Sequence, residues 1–333
     1  MDILVAFFDT LFSQLQKPTL SFLIGGFVIA ACGSRLEIPD PVYRFIVVVL
    51  LLKIGIGAGI EIRSASLSEI ALPSILAIVL GVVIVLLGRV TLAQLPGVTK
   101  IDAVATSGLF GAVSASTLAA AMIIMEQEGA EFEAWVPALY PFMDIAALLT
   151  AIVLAKLLLG KSSGRRRESS LGQIVKESLQ GSALSALLLG LALGLLARPE
   201  PVYQSFYEPL FRGLLSILML IMGMEAYQRF GELRRVAHMY AIYGLLAPLV
   251  HGIMGLGVGY LVHQVTGFSS GGAVLLAVMA ASSSDISGPP TLRAAIPQAN
   301  PSTYIGASTS LGTPVALLSI PLFMAIAEWL FAL

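Results

Sequence analysis

The richest chemistry in this 333-residue chain sits in SSSDISGPPT, Ser282 to Thr291. Asp285 supplies a carboxylate, and Ser282, Ser283, Ser284, Ser287 and Thr291 supply hydroxyls. Pro289 and Pro290 donate no backbone hydrogen bond and clash with the preceding turn, and Gly288 loosens the chain further. One helix should therefore end near Ser284 and another begin near Gly288, capped by Ser287. Such a break frees carbonyl groups on one side and N–H groups on the other. Carbonyls, hydroxyls and a carboxylate suit a hard cation such as Na+. The N–H groups and dipole of a helix start suit an anion.

A second stretch repeats the pattern. GAVSASTLAAAM, Gly111 to Met122, aligns on its TLxAA with DISGPPTLRAAI, Asp285 to Ile296. Here the break is gentler, with Ser114 or Ser116 as the cap. Two such breaks meeting at mid-depth would hold a cation and an anion side by side. The expected cation ligands are Asp285, Ser282, Ser283, Ser284 and Gly111. The expected anion ligands are Ser114, Ala115, Ser116, Thr117, Ser287, Gly288 and Thr291.

These residues need elements to position them, and the composition says which. Hydrophobic types make up 57% of the chain and charged types 12%, about half the charged share of soluble proteins. Runs such as YRFIVVVLLLKIGIGAGIE approach or reach the roughly 20 residues that cross a bilayer. The alternating segments of a β-barrel are absent. The fold expected is an all-α polytopic membrane protein of about ten transmembrane helices. They fall near 18–34, 42–60, 70–90, 101–125, 135–159, 180–197, 207–226, 237–262, 272–298 and 303–331, with the fourth and ninth broken and crossing.

Residues 1–159 and 180–333 read as two five-helix repeats joined by a polar linker, 160–179. PDPVY at Pro39 recurs as PEPVY at Pro199, GIE at Gly59 as GME at Gly223, and GVT at Gly97 loosely as GFS at Gly267. An odd number of spans per repeat inverts the second in the membrane, an arrangement typical of secondary transporters that bind substrate at the repeat interface. With the N-terminus outside, 14 Lys and Arg residues fall on the inner side against 4 on the outer. Both termini are then outside and the linker is cytosolic.

Other polar residues lie at depth. Lys53 and Asp144 are intramembrane ionisable groups, functional candidates by default, with mutual pairing as a structural tie the equal alternative. Glu61 and Glu225 lie near span ends, where a carboxylate reaches water. Gly190 and Gly194, and Gly252, Gly255 and Gly259, mark close helix contacts within or between subunits. The three histidines are scattered and there is one cysteine, so no transition-metal site is expected. No nucleophile–base pair, phosphate-binding loop or nucleic-acid patch appears, so no enzyme and no cofactor beyond Na+ as coupling ion is expected. The residues alone lead to an ion-coupled transporter for a small anion. The alternatives are a Na+-coupled symporter for another small anion, or a cation/proton antiporter on a similar scaffold.

The ten-span layout, GAVSASTLAAAM, SSSDISGPPTLRAAIP, RLEIPDPVY and LPGVTKIDAVATSG together resemble the SbtA family of cyanobacterial sodium-dependent bicarbonate transporters, over essentially the whole chain. The central linker is short for that family. The resemblance implies Na+-dependent symport of HCO3− across the plasma membrane by alternating access, feeding a CO2-concentrating mechanism. It also implies a homotrimer. A gate domain of spans 1, 2, 6 and 7 would flank a core domain of spans 3–5 and 8–10. A PII-like regulator, SbtB, would bind from the cytosol.

Overall fold

The structure, a computed structural model, describes residues 18–63, 67–163, 180, 182–233, 238–285 and 288–332. The described part is helical, without β-strand. Helices α1 (Pro18–Ala31), α2 (Asp40–Ile62), α3 (Leu67–Leu92), α4 (Lys100–Gly111), α5 (Ala115–Gln127) and α6 (Tyr140–Ser163) form the first half. Helices α7 (Ser182–Leu196), α8 (Glu208–Leu233), α9 (His238–Thr266), α10 (Ser270–Ala281) and α11 (Gly288–Ala295) follow. The last segment runs through α12 (Pro301–Ala307), α13 (Thr313–Leu318) and α14 (Ile320–Phe331). Most of the linker, and residues 1–17, lie outside the described residues.

Six helical stretches are long and apolar enough to cross a membrane: Asp40–Ile60, Glu69–Leu92, Lys100–Gln127, Val136–Leu159, Glu200–Glu225 and His238–Thr266. A seventh is the pair Pro301–Leu318 and Ile320–Phe331, bent by 42°. Three apolar helices are shorter: Ser21–Ala31, Ser185–Leu196 and Ser270–Ala281. With apolar stretches this long and this many, the chain is a multi-pass membrane protein.

Two groups of helices are visible in the packing. In one, α2 lies along α7 and α1 along α8. Small residues set the distance. A Cβ on Gly194 would stand 2.8 Å from the Gly59 Cα, and one on Gly190 would stand 3.1 Å from the Gly55 Cα. In the other group, α3, α4 and α6 pack together and α9 packs on α10, with α3 and α9 touching. There Gly255 and Gly259 lie against Ala277 and Ala273 of α10, and Gly252 against Phe323. Both glycine stripes thus serve contacts within the chain.

The same local device starts α4 and α10. Gly97 and Gly267 take φ of 78° and 74°, a conformation glycine adopts without a Cβ penalty. Two residues on, Thr99 accepts from the Asp102 N–H and Ser269 from the Gly272 N–H. Each is an N-cap. The first interruption lies within residues 102–125, which are buried throughout. Non-helical backbone at that depth is tolerated only inside protein or along a cavity.

The last span departs from the expected plain helix. Ser308–Gly312 forms a π-turn between α12 and α13, and a bend follows at Ser319. Pro314 and Pro321 lie just after these irregularities and each withholds an N–H from the ladder.

Candidate functional site

Helix α4 makes its last backbone bond from the Ala112 N–H to the Gly108 carbonyl, 3.1 Å. The chain is then extended to Ser114, and α5 begins at Ala115. Ser114 is the cap: its Oγ accepts from the Thr117 N–H at 3.1 Å and from the Thr117 hydroxyl at 2.9 Å. Its Oγ also lies 2.9 Å from Ser116 Oγ. The Val113 N–H donates to Asp144 Oδ1 of α6 at 3.0 Å. Among the described residues, no bond is made by the N–H groups of Ala115 or Ser116, as is general for the first turn of a helix.

Helix α10 ends at Ala281, where the Ser282 N–H still reaches the Val278 carbonyl at 2.9 Å. Beyond it the two interruptions meet. The Ser114 N–H donates to Ser282 Oγ at 2.9 Å, and that hydroxyl donates to the Met279 carbonyl at 2.8 Å. The Ser284 N–H donates to the Leu109 carbonyl at 2.9 Å. The Ser116 hydroxyl donates to Asp285 Oδ2 at 2.5 Å. Ser114, Thr117, Ser282 and Ser283 are fully buried, and Ser116 and Ser284 nearly so. Asp285 is partly buried.

The start of α11 is met by Ser284. Ser287 lies outside the described residues, and the Gly288 N–H donates to Ser284 Oγ at 2.9 Å. Gly288 is also tightly enclosed, since a Cβ there would stand 2.5 Å from Leu109 and 2.8 Å from Ser284. Thr291, one turn along α11, is partly buried. Gly111 ends α4 with its α-carbon turned to α3 and α6: a Cβ there would meet Val85 and Ala147.

Several polar neighbours were not foreseen. Ser283 Oγ accepts from the Ser308 hydroxyl at 2.8 Å and lies 3.4 Å from Thr313 Oγ1. Both belong to the irregular part of the last span, and π-turns are frequent at functional sites. Asp285 lines a crevice of about 20 Å³ with Thr309, Thr313, Tyr43 and Glu225. Glu225, placed by sequence near a span end, is partly buried and lines the same crevice as Asp285. The stretch STSLGTP, Ser308–Pro314, was the one available signal, a run of hydroxyls ending in proline.

Lys53 and Asp144 take different partners. Asp144 is fully buried and holds the Val113 N–H. The Lys53 ammonium sits 4.2 Å from the Phe211 ring centroid and 5.7 Å from that of Tyr203, a cation–π arrangement. It lines a cavity of about 430 Å³ with Glu126 and Glu208. Across that region Arg212 of α8 and Glu126 of α5 approach to 3.8 Å. Among the described residues, no three His, Cys, Asp or Glu side chains gather as a metal site would need.

The arrangement joins free helix-start N–H groups to a carboxylate within one hydroxyl network. N–H groups at a helix start attract anions, and a carboxylate with hydroxyls attracts hard cations.

Comparison with known families agrees with that chemistry. The sequence profile of the Na+-dependent bicarbonate transporter superfamily matches residues 18–328, from the start of α1 into α14. The chain belongs to that superfamily, whose members are transporters and not enzymes. No curated protein sequence matches it.

Proposed function

We propose that this member of the Na+-dependent bicarbonate transporter superfamily moves HCO3− together with Na+ by alternating access, and that both are bound where the two helix interruptions meet. The anion lies at the start of α5, on the N–H groups of Ala115 and Ser116 and the hydroxyls of Ser114, Ser116 and Thr117, approached by Gly288 and Thr291 from α11. Na+ lies at Asp285, with Ser283, Ser284 and the carbonyls freed at the end of α10. The observation that carries this reading is the 2.5 Å bond from Ser116 to Asp285. On this reading a hydroxyl of the anion half lies directly on the carboxylate of the cation half. Binding at either half then alters the other, which is what coupling requires.

Bicarbonate fits the donors by size and charge. It is a small planar anion that several backbone N–H and hydroxyl groups can surround. Arg293, the nearest guanidinium in α11, is exposed a turn beyond the interruption, so a larger carboxylate would meet no clamp there.

The ten-span reading counts the bent pair and the three shorter apolar helices as spans. Two observations support an inverted duplication. The glycine-then-cap device recurs before α4 and α10. The pairing of α1 with α8 also becomes that of α7 with α2 when the halves are exchanged. On this reading α1, α2, α7 and α8 are the gate, and the remaining helices form a core that moves against it. Both termini face outside a plasma membrane, with residues 160–179 in the cytosol. The homotrimer, the PII-like regulator SbtB and the role in concentrating CO2 rest on family resemblance alone.

Reciprocal binding tests the proposal. In detergent, Na+ should lower the bicarbonate concentration that half-saturates the purified chain, and bicarbonate should do the same for Na+ by the same factor. Independent binding of the two would contradict a shared site.

A further inference from the structure

The crevice beside Asp285 draws its walls from both helix groups. Asp285 comes from the second interruption, Thr309 and Thr313 from the last span, Glu225 from α8 and Tyr43 from α2. At about 20 Å³ it has room for one water-sized occupant. Its polar lining includes two carboxylates and two threonine hydroxyls. Two carboxylates facing one small space disfavour each other's charge unless a positive charge sits between them. A small monatomic cation fits that space and that lining. The Thr309 hydroxyl donates to the Ile305 carbonyl at 2.7 Å, which leaves its oxygen lone pairs for an ion. Thr313 is nearly buried, and its hydroxyl continues through Ser283 Oγ to Ser308. Carboxylate and hydroxyl oxygens are hard donors, suited to an alkali or alkaline-earth cation and unsuited to a soft metal.

We propose that the coupling cation is clasped between Asp285 and Glu225, with Thr309 and Thr313 completing its shell, so that one cation site takes ligands from both helix groups. The inference rests on the reading of Asp285 as the cation ligand, and it adds Glu225 and the last span. It assigns a mechanical role to the ion. With the cation in place, α8 is tied to the segment that follows α10. When the cation leaves, the two carboxylates repel and the tie opens.

The test is a Na+ titration of the full-length chain in detergent, read as the rise in melting temperature that a ligand of the folded state brings, with K+ as the control ion. The variants are Glu225→Gln, Thr313→Val and Asp285→Asn. Loss of one charged oxygen ligand in Glu225→Gln should raise the half-saturating Na+ concentration by about tenfold or more. Thr313→Val should raise it by a smaller factor, and Glu225→Asp should restore part of the affinity. An unaltered melting temperature without Na+ shows that a variant folds. Should Glu225→Gln fail to fold, Thr313→Val carries the test. Native half-saturation in Glu225→Gln and Thr313→Val, with the response lost in Asp285→Asn, would overturn this inference alone. Native half-saturation in all three would overturn the placement of the cation at Asp285 as well.

Discussion

Ser116 donates its hydroxyl proton to Asp285 Oδ2 at 2.5 Å, across 169 residues of chain. One partner stands in the first turn of α5 and the other just after α10. This bond joins the two interruptions, as does the one from the Ser114 N–H to Ser282 Oγ. It also divides the work, with hydroxyls and N–H groups on the α5 side and the carboxylate on the other.

Asp285→Asn keeps the shape and removes the charge. Na+-stimulated bicarbonate uptake should fall by about tenfold or more, the factor that goes with losing one charged ligand. Rates measured across a range of Na+ concentrations check this. A native Na+ dependence would show that the cation sits elsewhere.

Ser114→Ala and Ser116→Ala should separate the two ions. The first removes the cap of α5, at a cost of about 1 kcal/mol, and strips the oxygen that holds Thr117. It should raise the half-saturating bicarbonate concentration more than that of Na+. The second breaks the bridge to Asp285 and should weaken both together. Identical effects of the two substitutions would argue against the division.

Asp144→Ala leaves the buried Val113 N–H without its acceptor, worth about 1–3 kcal/mol. The melting temperature in detergent should drop and uptake should fall with it. Asp144→Asn retains an acceptor oxygen and should recover most of the loss. Equal losses in the two variants would mean that Asp144 acts through its charge.

Gly194→Val would drive a side chain into the backbone of α2, where even a Cβ stands 2.8 Å from the Gly59 Cα. Overpacking of this kind costs about 1–3 kcal/mol. Gly257→Val is the control, because nothing lies within 4 Å of a Cβ there. Melting curves should show a lower transition for Gly194→Val only.

The interruptions were legible because they are local. Gly288-Pro289-Pro290 removes donors that a helix needs, and Ser114 followed by Ser116 and Thr117 spells a cap. Long apolar runs revealed the helical class by the same logic. What the sequence could not show was partnership across distance. Asp144 precedes no motif, yet it holds the N–H of Val113, 31 residues away. Ser284 supplies the hydroxyl that meets the Gly288 N–H, a contact that spacing alone does not show. The π-turn at Ser308–Gly312 and the place of Glu225 on the crevice depend on how the last span and α8 pack. Periodicity carries no record of such packing. Lys53 and Asp144 looked like a pair because both are charged and apolar runs surround both. In the fold, aromatic rings and a backbone amide take their place.

The most direct test of Na+-coupled bicarbonate transport is uptake of labelled bicarbonate into liposomes holding the purified chain, with and without an inward Na+ gradient. Accumulation above equilibrium with the gradient, its collapse when K+ replaces Na+, and its absence in Asp285→Asn are the results expected. Equal uptake with and without the gradient would contradict the account.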